Sequence, residues 1–332
     1  MNAVLKESKA TRARGHMPKG HNAVARVAAK KRGKATPTLP NGAMADVPSP
    51  APIAVAAKSR MPKGQMTHAA QQPNASESAI VPVPKGQRRH ADHSHTIATA
   101  GRSTLEENRA RAAGLGYEYL GCSDHAYELR MVGGLDLAEL EEQWARIDEL
   151  NALDDGGPAL LKGIELNIDD EGGVDYPPEV LARFDYCIAS LHHGFRQPRE
   201  QATRRLLVAM ENPYVDIIGH ATGRLLGRRD PFELDMEAVI AKAAETGTIM
   251  ELNAHPERLD LNDVHLRMAR KLGVRIAINT DAHEARQFSH IRWGIATARR
   301  GWVSAAEVLN AQPLPVLRSW LKRARLQGRG AL

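Results

Sequence analysis

The first 116 residues of this 332-residue chain contain no aromatic side chain; all 14 Trp, Tyr and Phe lie at or beyond Tyr117. Acidic residues are almost as scarce at this end. Residues 1–90 hold 3 Asp/Glu against 16 Lys/Arg, a formal +13, together with 10 of the 19 prolines. Such a segment cannot bury enough apolar surface to offset the entropy of ordering it. Residues 1–89 are therefore expected to form a disordered, basic, Pro/Ala-rich tail. Residues 91–332 hold 29 Lys/Arg against 36 Asp/Glu, a formal −7. The overall charge of +6 is thus the sum of a basic arm and an acidic domain, which excludes a uniformly basic globular protein.

Other scarcities exclude further classes. With two cysteines, Cys122 and Cys187, both in apolar runs, there is no disulfide framework; buried thiols in a reducing, cytoplasmic compartment are expected. No apolar run approaches the roughly 18–20 residues that span a bilayer, so no membrane partner is expected. The N-terminus has no apolar core of a secretory signal, although Ala10–Lys34 is Arg-rich and acid-poor enough to leave an organelle transit peptide as an alternative.

The tail repeats a short phrase, Met17-Pro18-Lys19-Gly20, Met61-Pro62-Lys63-Gly64 and Pro84-Lys85-Gly86. Its period is irregular and too poor in apolar residues for a solenoid. The tail reads as a solvated linker, or as an electrostatic arm for nucleic acid centred on Lys30-Lys31-Arg32 and Lys34. Such an arm contacts phosphates without reading sequence, so it cannot define a substrate.

Beyond residue 90, short apolar runs alternate with amphipathic helices. The spacing predicts strands over 119–123, 160–166, 186–191, 215–219, 248–252 and 274–280, with a seventh just before His93. Between them, Ser103-Thr104-Leu105-Glu106 reads as a capping box, and residues 136–153 carry Leu137, Leu140, Trp144, Ile147 and Leu150 at helical spacing. Helices are also predicted over 235–246, stopped by Gly247, and 262–272, stopped by Gly273. This βα alternation implies a largely parallel sheet.

The strand ends carry the chemistry. His93 and His95 come after the first, His125 after the second, Glu165 ends the third, His192 comes after the fourth, His220 after the fifth, and Asp281 with His283 after the last. A closed βα barrel gathers its C-terminal strand ends on one face, whereas an open sheet does not, so a barrel is expected. Imidazoles and carboxylates without thiolate suit Zn²⁺, Mn²⁺ or Fe²⁺. Six histidines and two carboxylates exceed what one tetrahedral ion uses, which implies two or three divalent ions. A cluster of this kind activates water for displacement at phosphorus. Arg224, four residues past His220, is the best-placed phosphate-facing arginine, with Arg228, Arg229 and Arg258 as weaker candidates that read more readily as ordinary surface residues. His193, His255, His265 and His290 are expected outside the ligand set.

At this point the motifs resemble a family. His93-Ser94-His95-Thr96, Ser123-Asp124-His125, Lys162-Gly163-Ile164-Glu165, Ser190-Leu191-His192, Gly219-His220-Ala221-Thr222-Gly223-Arg224 and Asn279-Thr280-Asp281-Ala282-His283 resemble those of the PHP (polymerase and histidinol phosphatase) superfamily. Residues 251–261 and 294–302 are similar to the C-terminal PHP domain of bacterial and archaeal family X DNA polymerases. The resemblance covers roughly residues 90–325 and leaves 326–332 as a disordered end. It implies a distorted (β/α)7 TIM-like barrel with a trinuclear centre. One ion would use His93, His95, Glu165 and Asp281, a second Glu165, His192 and His220, and a third His125, His283 and an Asp of the first motif. It further implies Glu165, His192, Asp281 and Arg224 as the residues carrying catalysis, and 3′–5′ exonuclease, 3′-phosphatase or abasic-site endonuclease activity on DNA.

The sequence departs from that pattern at informative positions. Ala100 stands where the ligand Asp is usual, Asn167 replaces an Asp, and Ala221 replaces a Pro. Residues 1–90 offer Glu7, Asp46 and Glu77 and no core, which excludes polymerase activity from this stretch. The leading expectation is a metal-dependent phosphoesterase processing DNA 3′ ends. A phosphatase for small phosphomonoesters such as histidinol phosphate or a nucleotide is the alternative, and a degenerate, non-catalytic metal-binding DNA partner a third.

Overall fold

A computed structural model describes residues 93–129 and 133–329; the tail, its repeats and residues 330–332 lie outside the described residues, whereas 326–329 of the expected disordered end are helical. Six strands, β1 (Tyr119–Cys122), β2 (Ala159–Asn167), β3 (Tyr186–Ser190), β4 (Ile217–Ile218), β5 (Ile249–Asn253) and β6 (Ile276–Asn279), form one sheet in sequence order. Every neighbouring pair is parallel. The helices in chain order are α1 (Leu105–Gly114), α2 (Leu137–Asn151), α3 (Pro178–Leu181), α4 (Arg199–Ala209), α5 (Met236–Thr246), α6 (Asp263–Lys271), α7 (Ile291–Arg300), α8 (Leu314–Trp320) and α9 (Lys322–Arg329).

The sheet curls, and its two edges are tied by one residue. Ser94 forms a parallel bridge with Ala282, just past β6, and its carbonyl accepts the Ser123 N–H, just past β1, at 2.9 Å. The expected seventh strand is thus represented, among the described residues, by a single bridging residue rather than a full strand; the positions preceding His93 lie outside them.

Burial explains the apolar runs. Tyr119, Leu161, Tyr186, Ile188, Ile217, Ile249 and Ala277 fill the inside of the curl, capped at one end by Leu309, Leu317 and Leu321. The alternate side chains, among them Ile164, Cys187, Ile218, Met250 and Ile278, pack outward against the helices. A sheet covered on both faces needs continuous rather than alternating hydrophobicity.

Helix starts obey the caps, with one shift. Thr104, not Ser103, caps α1 and forms the reciprocal box with Glu107. Ser103 is diverted because its hydroxyl accepts the Ala285 N–H, pinning α1 to the loop after β6. Asp136 caps α2 as expected, but Leu137 is exposed and Gln143 takes a buried place instead. Its amide donates to Asp124 at 2.7 Å. Asp235 and Asn262 cap α5 and α6. Gly247 and Gly273, at φ 71° and 72°, end these two helices in the left-handed conformation that glycine tolerates. Among the described residues no helix is long and apolar enough to cross a membrane.

Candidate metal centre

The segment at 93–95, the ends of β2 and β6 and the turns after β1, β3 and β4 deliver the eight predicted donors to one place. Glu165, the hub, is fully buried at the end of β2. Its Oε2 faces His125 Nδ1 at 3.0 Å, His93 Nε2 at 3.4 Å and His95 Nε2 at 3.6 Å. Its Oε1 faces His220 Nε2 at 3.0 Å and His192 Nε2 at 3.2 Å. Asp281 Oδ1 completes the first side, 3.1 Å from His95 Nε2 and 3.7 Å from His93 Nε2. His283 donates Nδ1–H toward the Asp281 carbonyl at 2.9 Å, and its ring lies 4.5 Å from that of His95, tilted by 41°.

The backbone is bent to achieve this. Asp281 sits at φ 49° and His220 at φ 22°, a region non-glycine residues rarely adopt. Gly219 allows the approach to His220, because a Cβ there would meet Ser190 Oγ at 2.4 Å and Ile188 Cγ2 at 2.8 Å. Held strain of this kind gathers at functional sites.

Five buried atoms of the cluster residues have no hydrogen-bond partner: His93 Nε2, His125 Nδ1 and Glu165 Oε2, which face one another, and His95 Nδ1 and His220 Nδ1. His125 Nδ1 and Glu165 Oε2 lie 3.0 Å apart without the alignment of a hydrogen bond. Leaving buried polar atoms unpaired costs about 1–3 kcal/mol each, and converging donors that do not bond one another suit a shared cation. Donor atoms of His93, His95 and Asp281, of His95, His125 and His283, and of His125, Glu165 and His192 lie within 4.8 Å of one another in each group. The residues present therefore fit divalent metal ions.

Electrostatics agree. Burial pushes the Glu165 carboxyl upward, but His93, His125 and His192 outweigh it and hold it well below the usual carboxylate range. Asp281 is likewise held low against its burial, by His93, His95 and Arg258. Burial, with His125 alongside, brings His95 down to about 4, and burial lowers His192 too, so both favour the neutral, ligating form. His93 is the opposite case: burial disfavours its charge, yet Glu251, Glu165 and Asp281 raise it well above its ordinary value. The three carboxylates around it favour positive charge at that corner.

Several residues that orient the donors escaped the sequence reading. Glu251 on β5 is fully buried, 2.7 Å from His93 Nδ1, and accepts the His220 N–H at 2.7 Å and the Asn279 amide at 3.0 Å. Asn253 donates to Asp281 Oδ2 at 3.0 Å, and Asn167 Oδ1 receives His192 Nδ1 at 2.6 Å. A signal existed for the first two: Glu251-Leu252-Asn253 puts polar side chains at alternate positions of a wholly buried strand. Asp124, next to His125, is already saturated by Thr96, Thr99 and Gln143.

The arginines exchange places relative to expectation. Arg224 donates Nε to the Arg258 carbonyl at 2.8 Å and its guanidinium also reaches the Leu259 carbonyl. It braces a loop instead of facing the donors. Arg258, read from sequence as a surface residue, sits on that loop with Nε 3.3 Å from Asp281 Oδ2. Arg228 pairs with Glu257, and Arg229 lies over the Phe195 ring at 3.8 Å. His193 faces away from the centre, 53% exposed. His255 and His290 pack edge to face outside it. His265 and His290 are half-buried on their helices.

No family model matches the chain. Sequence relatives do. The DNA polymerase/3′–5′ exonuclease PolX of Bacillus subtilis is 40% identical over 231 residues, covering 70% of this chain and 40% of that protein. The chain thus spans well under half the length of that relative. A probable phosphatase of Caldanaerobacter subterraneus is 33% identical over 202 residues, 58% of this chain and 74% of its own length. In fold, the chain is similar to the crystal structure of histidinol phosphate phosphatase from Lactococcus lactis, complexed with zinc, L-histidinol and phosphate. That match has a TM-score of 0.51 at 18% identity, over 65% of this chain and 95% of the other. With the motifs in sequence, the donors on one rim of a curled parallel sheet and these relatives in agreement, the chain belongs to the PHP (polymerase and histidinol phosphatase) superfamily.

Proposed function

We propose that residues 90–325 form a metal-dependent phosphoesterase that hydrolyses phosphate esters at DNA 3′ ends, with the basic tail as an electrostatic arm for nucleic acid. The observation that carries this reading is the two-sided carboxylate of Glu165, which offers one oxygen to His93, His95 and His125 and the other to His192 and His220. His93, His95, Glu165 and Asp281 would hold one divalent ion, and Glu165, His192 and His220 a second. His125 and His283 would contribute to a third. Ala100 adds no donor there, and Asp124 has none to spare. Such ions, Mn²⁺ or Zn²⁺ with Fe²⁺ a further option, supply Lewis acidity and a water of lowered pKa.

The chain's own groups do the rest. Glu251 and Asn167 keep His93 and His192 oriented through their Nδ1 atoms, leaving each Nε2 turned to the centre. Arg258 faces a phosphate approaching Asp281, its planar fork matching the phosphate oxygens. Arg224 contributes by bracing the loop that presents Arg258. The test is release of nucleotides or phosphate from a 3′-recessed or 3′-phosphorylated duplex in the presence of Mn²⁺. Folded protein without turnover across Mn²⁺, Zn²⁺, Co²⁺ and Mg²⁺ overturns the reading.

A second reading, a phosphatase for small phosphomonoesters, draws support from the formal −7 of residues 91–332, which does not attract DNA at long range. Deleting residues 1–88 separates the two. A DNA enzyme loses affinity and salt dependence, while a small-molecule phosphatase is indifferent.

A further inference from the structure

Two neighbouring helices carry a charge opposite to that of the domain they cover. Together α6 and α7 hold Arg267, Arg270, Lys271, Arg292, Arg299 and Arg300 against Asp263 alone, within a region whose formal charge is −7. Asp263 is shared between Arg300 at 3.2 Å and Arg267 at 3.8 Å, and Arg270 pairs with Glu307 at 3.0 Å. Lys271, Arg292 and Arg299 are exposed and have no carboxylate partner among the described residues.

Exposed indoles accompany these helices. Trp293, 44% exposed, lies in the first turn of α7, and Trp302, 68% exposed, lies just past its end. Each carries a guanidinium: Arg292 lies 4.7 Å from the Trp293 ring and Arg267 5.3 Å from that of Trp302. The two helices are in contact, since a Cβ on Gly301 would meet Leu266 Cβ at 2.6 Å. The start of α7 is close in the chain to the metal centre, and its inner side packs on the strands that carry the donors. A single 3-10 turn, Ala285–His290, separates His283 from α7, and Gly294 packs on Ala254 and Ile278, just beyond β5 and within β6.

We propose that the outer face of α6 and α7 is a docking surface for a polynucleotide strand whose end lies in the metal centre. Unpaired cations within a Debye length of the backbone attract phosphates locally although the domain as a whole is acidic. Indoles backed by guanidinium groups stack on bases whatever their identity. An acidic polypeptide would be matched by the cations but has no planar groups for both indoles. The proposal rests on the phosphoesterase reading for its substrate class, while binding itself can be measured without hydrolysis.

The experiment uses the full chain and a fluorescein-labelled oligothymidylate with phosphorothioate linkages, monitored by anisotropy across a salt series. The variant Lys271→Glu/Arg292→Glu/Arg299→Glu should bind at least about tenfold more weakly. Its slope of log affinity against log salt should be shallower by about 2, near the 0.7 per lost contact of single strands. Unlabelled oligothymidylate should quench the indole emission of the wild type, and less so that of Trp302→Phe. Basic-tail binding leaves both readouts unmoved. Variants that keep wild-type affinity, salt slope and quenching overturn the proposal. A protein that binds through this face yet hydrolyses nothing overturns the phosphoesterase reading and leaves the surface standing.

Discussion

Asn167 Oδ1 lies 2.6 Å from His192 Nδ1, while the Asn167 amide donates to the Asp175 carboxylate at 3.0 Å. One side chain thus orients a metal-facing imidazole and satisfies a buried acid, which neither Asp nor Ala can do.

Asn167→Ala should weaken binding of one ion by about 10–100-fold, the usual cost of losing the group behind a ligating histidine. Titration calorimetry with Mn²⁺ or Zn²⁺ checks this. Asn167→Asp keeps the acceptor for His192 but sets a second carboxylate against Asp175, whose burial already raises its pKa. It should therefore destabilise the fold, and Asp175→Asn should restore it. A double-mutant cycle in urea with no coupling between these positions would contradict the pairing.

Glu251→Ala removes the acceptor shared by His93 Nδ1, the His220 N–H and the Asn279 amide. With about 1–3 kcal/mol for each unsatisfied group, a loss of about 3 kcal/mol or more is expected. For a domain of this size that lowers the melting midpoint by roughly 6–12 °C. Glu251→Gln retains an oxygen acceptor and should cost less. Equal midpoints for the two variants would mean that hydrogen bonding at Glu251 is immaterial.

Chelation should lower the melting temperature. Readdition of a divalent ion at about 1,000 times its dissociation constant should return about 4 kcal/mol of stability by mass action. Glu165→Gln should abolish most of that recovery, because both oxygens face imidazoles. Thermal melts with and without metal decide it; full recovery in the variant would remove Glu165 from the hub.

Cys122 and Cys187 are fully buried. Burial, with Asp124 nearby, raises the Cys122 thiol far out of the titrating range, and burial pushes Cys187 up to about 12. Since a raised thiol pKa removes the reactive thiolate at about pH 8, neither cysteine should react with an aromatic disulfide reagent in the native protein. Both should react in denaturant. Rapid native labelling of either would show that its strand opens.

Much of the site was legible because its donors sit at strand ends, where βα spacing and residue type suffice to pick them out. His93, His95, His125, Glu165, His192, His220, Asp281 and His283 all reach one cluster. Glu251 and Asn253 were passed over because they lie inside a buried strand, where apolar composition dominates the reading. The choice between Arg224 and Arg258 could not be made from spacing. It depends on which guanidinium the loop carbonyls capture, and Arg224 is the one held by Arg258 and Leu259.

Local chemistry, written in the order of residues, determined the class of fold, the kind of donor and the helix caps at Asp136, Asp235 and Asn262. Periodicity and capping depend on near neighbours, so they survive in one dimension. Tertiary structure alone decided that Ser94 ties the two edges of the sheet, that Glu165 divides its two oxygens between two sets of imidazoles, and that Arg267 of α6 lies over the Trp302 ring beyond α7. Each of these joins residues tens to hundreds of positions apart, and distance between side chains belongs to the packed chain.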